Sequence, residues 1–394
     1  MRDMVEIGMG REARRTYELE DVAIVPSRRT RSSKDVDTRW SIDAYEFGFP
    51  LMMHPTDSVS GPESAAEFAR LGGLAVLNAE GIWARHEDGD AAIAKVVEAA
   101  SGADWARPEV ANEVLQKLHS APIDEDLLVR RITELRESGA ITAVRVSPQR
   151  CRELTPLLVK AGIDLLVIQG TLISAEHVTS DGEPLNLKDF IGSLDVPVIV
   201  GGVVDYRTAL HLMRTGAAGV IVGPGTTTTP SALGIEVPMA TAIADAAAAR
   251  RDYLDETGGR YVHVIADGGI ESAGDIAKAI ACGADAVALS QLLADAAEAP
   301  GKGWHWPSAA AHPKYPRGFV DSNDLGAVTP GETGTETGTE TGSAAERPSM
   351  EELLFGPTAD PFGTRNLVGG IKRSMAKCGF TDVKSFQRVD LSIR

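Results

Sequence analysis

Two short stretches of this chain carry residues suited to holding an oxyanion. Asp267-Gly268-Gly269 and Ser290-Gln291 each follow a short apolar run, and glycines let backbone N–H groups approach a phosphate closely. A helix starting at Ser272-Ala273-Gly274 would add a favourable dipole. Asp267 is the odd member, because a carboxylate repels phosphate; it suits ribose hydroxyls better, with an ordinary Asp-capped turn as the alternative. A second cluster, Gly223-Pro224-Gly225, runs into Thr226-Thr227-Thr228-Thr229-Pro230. Its four hydroxyls could line an anion pocket or simply form a polar loop. Gly201-Gly202 likewise leaves room for a ligand or makes a turn. Cys151 stands beside a helix start that would lower its pKa, with a buried structural thiol as the alternative, while Cys282 and Cys378 read as structural. His54 ends an apolar run and has the chemistry of an acid or base near neutral pH, a purely structural histidine being the alternative.

The elements that must position these residues are short β-branched runs alternating with helical patterns, as expected of repeated βα units around a parallel sheet. Eight such runs occur, at Leu51–Met53, Leu74–Leu77, Thr142–Val146, Asp164–Ile168, Val196–Val200, Gly219–Val222, Val262–Ala266 and Ala286–Leu289. Helices end in recurring turns with Gly162, Gly216 or Gly283 where a left-handed cap is wanted. Eight runs predict an α/β fold of the (β/α)8 TIM-barrel type, in which phosphate sits beyond strands seven and eight. An open doubly wound sheet is the rival, but no GxGxxG joins the first strand to its helix. Residues 1–49 read as an N-terminal arm packing on the barrel. Residues 50–325 and 350–394 form a single barrel with a C-terminal element. Between Gly102 and Ile141 the sequence predicts a polar stretch and one amphipathic helix, Ile123–Gly139. Residues 326–349, containing the repeat GETGTETGTETG (Gly331–Gly342), cannot bury an apolar face and should be disordered.

Composition narrows the function classes. Lys and Arg number 39 against 56 Asp and Glu, a net charge of −17, which repels phosphate backbones and anionic lipid. Neither nucleic acid nor membrane is an expected partner. No run approaches the roughly 20 apolar residues of a membrane span, and the N-terminus lacks a signal-peptide core, so a cytoplasmic location is expected. Three widely spaced cysteines suggest neither disulfides nor a thiolate zinc site, and the eight histidines show no ligand spacing. No metal site is expected.

Taken together, several segments resemble the IMP dehydrogenase/GMP reductase family: DVAIVPSRRTRSSKDVD from Asp21, HPTDSVSG from His54, GGLAVLN from Gly72, GVIVGPGT from Gly219, HVIADGGIESAGDIAKAIACGADAVAL from His263, AAEAPG from Ala296 and NLVGGIKRSMAKCGF from Asn366. They cover most of the chain in the family's order and look most like its IMP-dehydrogenase-related branch without CBS domains; the Gly102–Ile141 stretch is too short for that paired insertion. The resemblance implies that Asp267 holds the ribose of a purine nucleoside monophosphate. Gly268, Gly269, Ser290, Gln291, Gly225 and Thr226 would surround its phosphate. Asp57 and Ser58 would lie near the base and an NAD or NADP cofactor, with Gln169 and Gly202 at the positions of the family's cofactor-side Asp and Asn. Gly369 and Gly370 would approach the catalytic loop. A monovalent cation and a homotetramer or octamer are also implied.

The chain departs from the family where the chemistry happens. The family's GxGSxCTTR loop, whose cysteine thiolate attacks C2 of the purine, reads GPGTTTTPSALG here. Thr227, Thr228 and His54 are the residues left as catalytic candidates, and a threonine hydroxyl needs a dedicated base to act as nucleophile. The methionine of the family's PMDSV element becomes Thr56, and its Arg-Tyr flap pair is not recognisable around Trp304 to Ser322. The resemblance therefore implies an IMP dehydrogenase-like oxidoreductase, converting IMP and NAD to XMP and NADH. GMP reductase and a non-catalytic purine-nucleotide-binding regulator are the alternatives. An FMN-binding barrel is a further reading of the same phosphate loops.

Overall fold

Short runs of β-branched residues bounded by glycine and polar turns have length for three to six strand residues, and between them amphipathic segments begin at side-chain caps. The computed structural model describes residues 3–102, 108–174, 176–177, 185–322 and 347–394. The Gly331–Gly342 repeat, read above as disordered, lies outside the described residues.

The barrel strands are β1 (Leu51–Met53), β2 (Val76–Asn78), β3 (Ala143–Val146), β4 (Leu165–Gln169), β5 (Val198–Val203), β6 (Gly219–Val222), β7 (His263–Ala266) and β8 (Ala286–Leu289). Each overlaps one of the eight expected runs. They form one parallel sheet in sequential order, with β8 pairing β1. A parallel Met52–Leu74 bridge closes the ring between β1 and β2, with the Met53 N–H on the Leu74 carbonyl at 2.8 Å. The fold is a (β/α)8 barrel.

Alternation along the strands sorts the side chains into two populations. Met52, Leu74, Val76, Ala143, Leu165, Val167, Ile199, Ile221, Ile265, Ala286 and Ala288 fill the interior. Their neighbours Leu51, Met53, Val144, Val146, Leu166, Ile168, Val220 and Val222 face the helices. The antiparallel hairpin Trp40–Ile42/Tyr45–Phe47 plugs one end, with Trp40, Ile42 and Phe47 in the interior cluster. This end is the amino side of the strands, which leaves the carboxyl side to function.

The outer layer includes α1 (Pro62–Arg70), α2 (Gly89–Ser101), α3 (Pro108–His119), α4 (Glu125–Glu137), α5 (Cys151–Ala161), α6 (Leu187–Gly192), α7 (Tyr206–Met213), α8 (Thr229–Leu233), α9 (Met239–Thr257) and α10 (Ala273–Cys282). Gly162, Gly216 and Gly283 all have positive φ at the expected helix ends. The Gly102–Ile141 stretch differs from expectation: it holds two helices, α3 and α4, rather than one. Helix α3 is held by packing on α2 and on the Ser308–Ala311 turn. The N-terminal segment pairs outside the barrel, where Val22–Ile24 runs antiparallel to Leu391–Ile393.

Candidate active site

Continuing the interior alternation by one step past each apolar position identifies the residues on the functional face. Met52 leads to His54, Val76 to Asn78, Ala143 to Arg145, Val167 to Gln169, Ile199 to Gly201, Ile221 to Gly223, Ile265 to Asp267 and Ala288 to Ser290. The last interior layer of the barrel is thus polar or glycine all round, while the layers beneath it are apolar.

Asp267, 1% exposed, stands at the centre. His54 Nδ1 lies 3.0 Å from its Oδ2, and Gln169 Nε2 donates to the same oxygen at 2.7 Å. An ionised carboxylate only accepts, so Nδ1 of His54 carries the proton and a neutral imidazole leaves Nε2 bare. The backbone closes the other side, with the Gly225 N–H on the Asp267 carbonyl at 3.0 Å. Gly223 has φ +100°, and a Cβ there would sit 2.2 Å from the Asp267 carbonyl, so both the conformation and the space demand glycine.

Arg145 is the neighbouring charge. Its Nη2 donates to the Gln169 carbonyl at 2.6 Å, and its Nη1 to Asn78 Oδ1 at 3.2 Å and Glu80 Oε2 at 3.1 Å. Burial pulls the guanidinium below its ordinary pKa, opposed by Glu80 and Asp57. Glu80 also accepts from the Ser147 N–H at 2.6 Å and hydroxyl at 2.9 Å. Sequence reasoning missed Arg145, Asn78 and Glu80. The available signal was a charge at interior parity in the run Ala143-Val144-Arg145-Val146.

A cavity of about 40 Å³ is lined by His54, Arg145, Gln169, Thr227 and Ser308, among others. Its roof is the segment from Trp304 onward. The hydroxyls of Thr56 and Ser58 donate to the Trp306 carbonyl, the latter at 3.3 Å. Ser308 donates to the Pro55 carbonyl at 2.9 Å, and the Thr228 N–H to the Arg317 carbonyl at 3.0 Å. His305, buried within this segment, is pushed down to a pKa of about 3 by burial and then by His54, and its Nε2 has no partner.

The structure distributes the other expected residues unevenly. Thr227 lies on the cavity with His54, but its hydroxyl donates to Thr229 Oγ1 at 3.0 Å rather than to the imidazole. Thr226 is exposed. Gly268 and Gly269 both have positive φ, as a loop approached by an anion requires. Ser290 precedes the short helix Gln291–Ala294 and places both residues at the end of β8. Asp57 accepts from His119 Nε2 at 3.0 Å, while its Oδ1 is buried without a partner. Gly202 is packed under the β6 loop, where a Cβ would meet the Gly223 carbonyl at 2.1 Å.

One expectation is corrected. Cys151 does begin α5, but burial pushes its thiol up to about 11, the opposite of activation; its Sγ faces the Pro148 carbonyl at 3.2 Å. The first turn of α10 is partly satisfied by the protein: Ala273 N–H donates to the Gly363 carbonyl at 2.8 Å and Asp275 N–H to Ser272 Oγ at 3.2 Å. Gly370 packs against this same turn, while Gly369 lies against Asn366. A Cβ on Gly370 would come within 2.5 Å of the Ala273 Cβ, so glycine there permits close helix packing. No group of metal-binding side chains occurs among the described residues.

Comparison with known proteins agrees with this geometry. Residues 16–393 match the model of the IMP dehydrogenase / GMP reductase domain. An uncharacterized oxidoreductase of Mycolicibacterium smegmatis is 63% identical over 99% of this chain and all of its own length. The inosine-5'-monophosphate dehydrogenase of Methanocaldococcus jannaschii is 25% identical, covering 95% of this chain and 92% of that protein. The crystal structure of an IMP dehydrogenase/GMP reductase-like protein from Corynebacterium glutamicum superposes with a TM-score of 0.90 at 58% identity, over 100% of this chain and 98% of that one. These matches place the chain among IMP dehydrogenase-like (β/α)8 barrels. The chain belongs to the IMP dehydrogenase/GMP reductase family.

Proposed function

We propose that the protein is a purine nucleoside monophosphate oxidoreductase using NAD or NADP, with the oxidation of IMP to XMP as its reaction. The observation that carries this reading is the polar top layer of the barrel. Both hydrogen bonds to the Asp267 carboxylate fall on Oδ2, and the carboxylate runs along Gly225, beside the loop expected to hold the phosphate. That arrangement suits a ribose on Oδ1. Gln169 lines the cavity and its Oε1 is a buried acceptor without a partner, which suits an N–H group of a purine or a nicotinamide carboxamide. A bound nicotinamide would supply the hydride acceptor.

A nucleotide needs far more than the present cavity, since ligand pockets typically measure about 300–1,000 Å³. The Trp304–Ser322 roof must therefore withdraw on binding, breaking the Thr228–Arg317 and Ser308–Pro55 bonds. That closed state, with no activated thiol, favours the non-catalytic nucleotide-binding regulator as the second reading. Two assays on pure protein separate them: calorimetric titration with IMP, XMP and GMP, and nicotinamide absorbance with IMP plus NAD or GMP plus NADPH. Binding with turnover supports the oxidoreductase and binding without it the regulator. Binding of no purine monophosphate removes both.

A further inference from the structure

We infer that His54, held by Asp267, is a general base that delivers water directly to the purine, replacing covalent attack by a protein nucleophile. This rests on the reading of the site as one for a purine mononucleotide. The two residues share a position in the top interior layer. His54 ends β1 and Asp267 ends β7, and the barrel brings them from 213 positions apart in sequence to 3.0 Å. Both are buried, at 7% and 1% exposure. Gln169 fixes Asp267 from the other side, so the carboxylate cannot rotate without losing a 2.7 Å bond.

The carboxylate confines the His54 proton to Nδ1, leaving Nε2 as the only bare nitrogen of the ring. The ring's Cε1, which adjoins Nε2, lies against Gly225; a Cβ there would be 3.2 Å away. His54 thus abuts the loop that bears a cysteine in the family and four threonines here. Thr227 shares the cavity but spends its hydroxyl proton on Thr229, so it is not set up as the acceptor of a base's help. The cavity of about 40 Å³ beside His54 has room for water, which needs roughly 10–15 Å³.

The step balances without a covalent enzyme intermediate. A water oxygen bonds to C2 of the hypoxanthine ring, its proton passes to His54 Nε2, and the C2–N3 π pair moves onto N3. When hydride leaves C2 for the oxidised nicotinamide, that pair returns to the ring and the product is the 2-hydroxy tautomer of XMP. The purine carbon is oxidised, the nicotinamide is reduced, and His54 releases the proton to solvent. Asp267 acts here as a positioning residue, through the tautomer it imposes.

The test uses the full chain carrying 15N-labelled histidine, with His54 assigned by its loss in His54→Asn. The expected free-protein spectrum shows His54 protonated on Nδ1, and Asp267→Asn produces a mixture of tautomers. His54→Asn retains an amide N–H for Asp267 but has no base, so kcat should fall about 10²–10⁴-fold while IMP affinity by calorimetry stays within about threefold. Acid-quenched wild type should show no nucleotide covalently attached. The inference is overturned by an Nε2-protonated His54, by kcat retained in His54→Asn, by a trapped threonine adduct, or by absent turnover in wild type. Failure to bind any purine monophosphate overturns the underlying site reading instead, and the tautomer spectrum still judges the dyad.

Discussion

Replacing Glu80 by Gln tests whether the polar top layer is a tightly coupled network. The substitution keeps shape but removes the charge opposite Arg145 and puts an NH2 where an acceptor stood. Glu80 accepts from Arg145 Nη1 at 3.1 Å, Ser147 N at 2.6 Å and Ser147 Oγ at 2.9 Å; Gln has one oxygen for these donors. Breaking a buried ion pair by removing one partner costs about 3–5 kcal/mol. Here the side chains are 14% and 15% exposed, so some solvent reaches the pair and about 2–4 kcal/mol is expected after that discount. Equilibrium urea unfolding of Glu80→Gln, Arg145→Met and the double variant measures it. Each single variant should lose at least about 2 kcal/mol, and the double variant should lose less than their sum, because the uncompensated charge is gone. Losses under about 1 kcal/mol for Glu80→Gln, or strict additivity, would refute the reasoning and place the pair in effective contact with water.

Other outcomes follow from individual positions. Gly223→Ala forces a left-handed backbone at about 1–2 kcal/mol and a clash with the Asp267 carbonyl, so nucleotide affinity measured by calorimetry should fall at least tenfold. Cys151, raised to about 11, should resist iodoacetamide at pH 8 in native protein by peptide mass spectrometry, and Cys151→Ala should retain wild-type activity. His305 titrates near 6.5 when unfolded and about 3 when folded. The unfolded chain therefore binds the extra proton between those values, and acid destabilises the fold. Stability should drop by about 2 kcal/mol more in wild type than in His305→Gln between pH 7.5 and 5; equal drops by urea titration would contradict a neutral buried imidazole.

The barrel and the glycine-rich strand ends were legible in residue types and spacing. Continuous apolar runs such as Gly219–Val222 and Ala286–Leu289 are a local signal, and these two strands begin and end where the runs do. Gly268 and Gly269 were legible for the same reason, since their backbone conformation is set within the turn. The absent loop cysteine was equally plain, because it is a fact of residue identity. Tertiary structure decided what the remaining groups do. Whether Cys151 is activated depends on desolvation by packing, which a helix start alone does not reveal. Whether His54 serves Asp267, or Arg145 pairs with Glu80, depends on strands that meet only when the barrel closes. Parity along a strand fixes which side chains point inward, but the partner of each is set by neighbouring strands and by the Trp304–Ser322 roof. Those are non-local contacts, and no spacing within the chain encodes their distances.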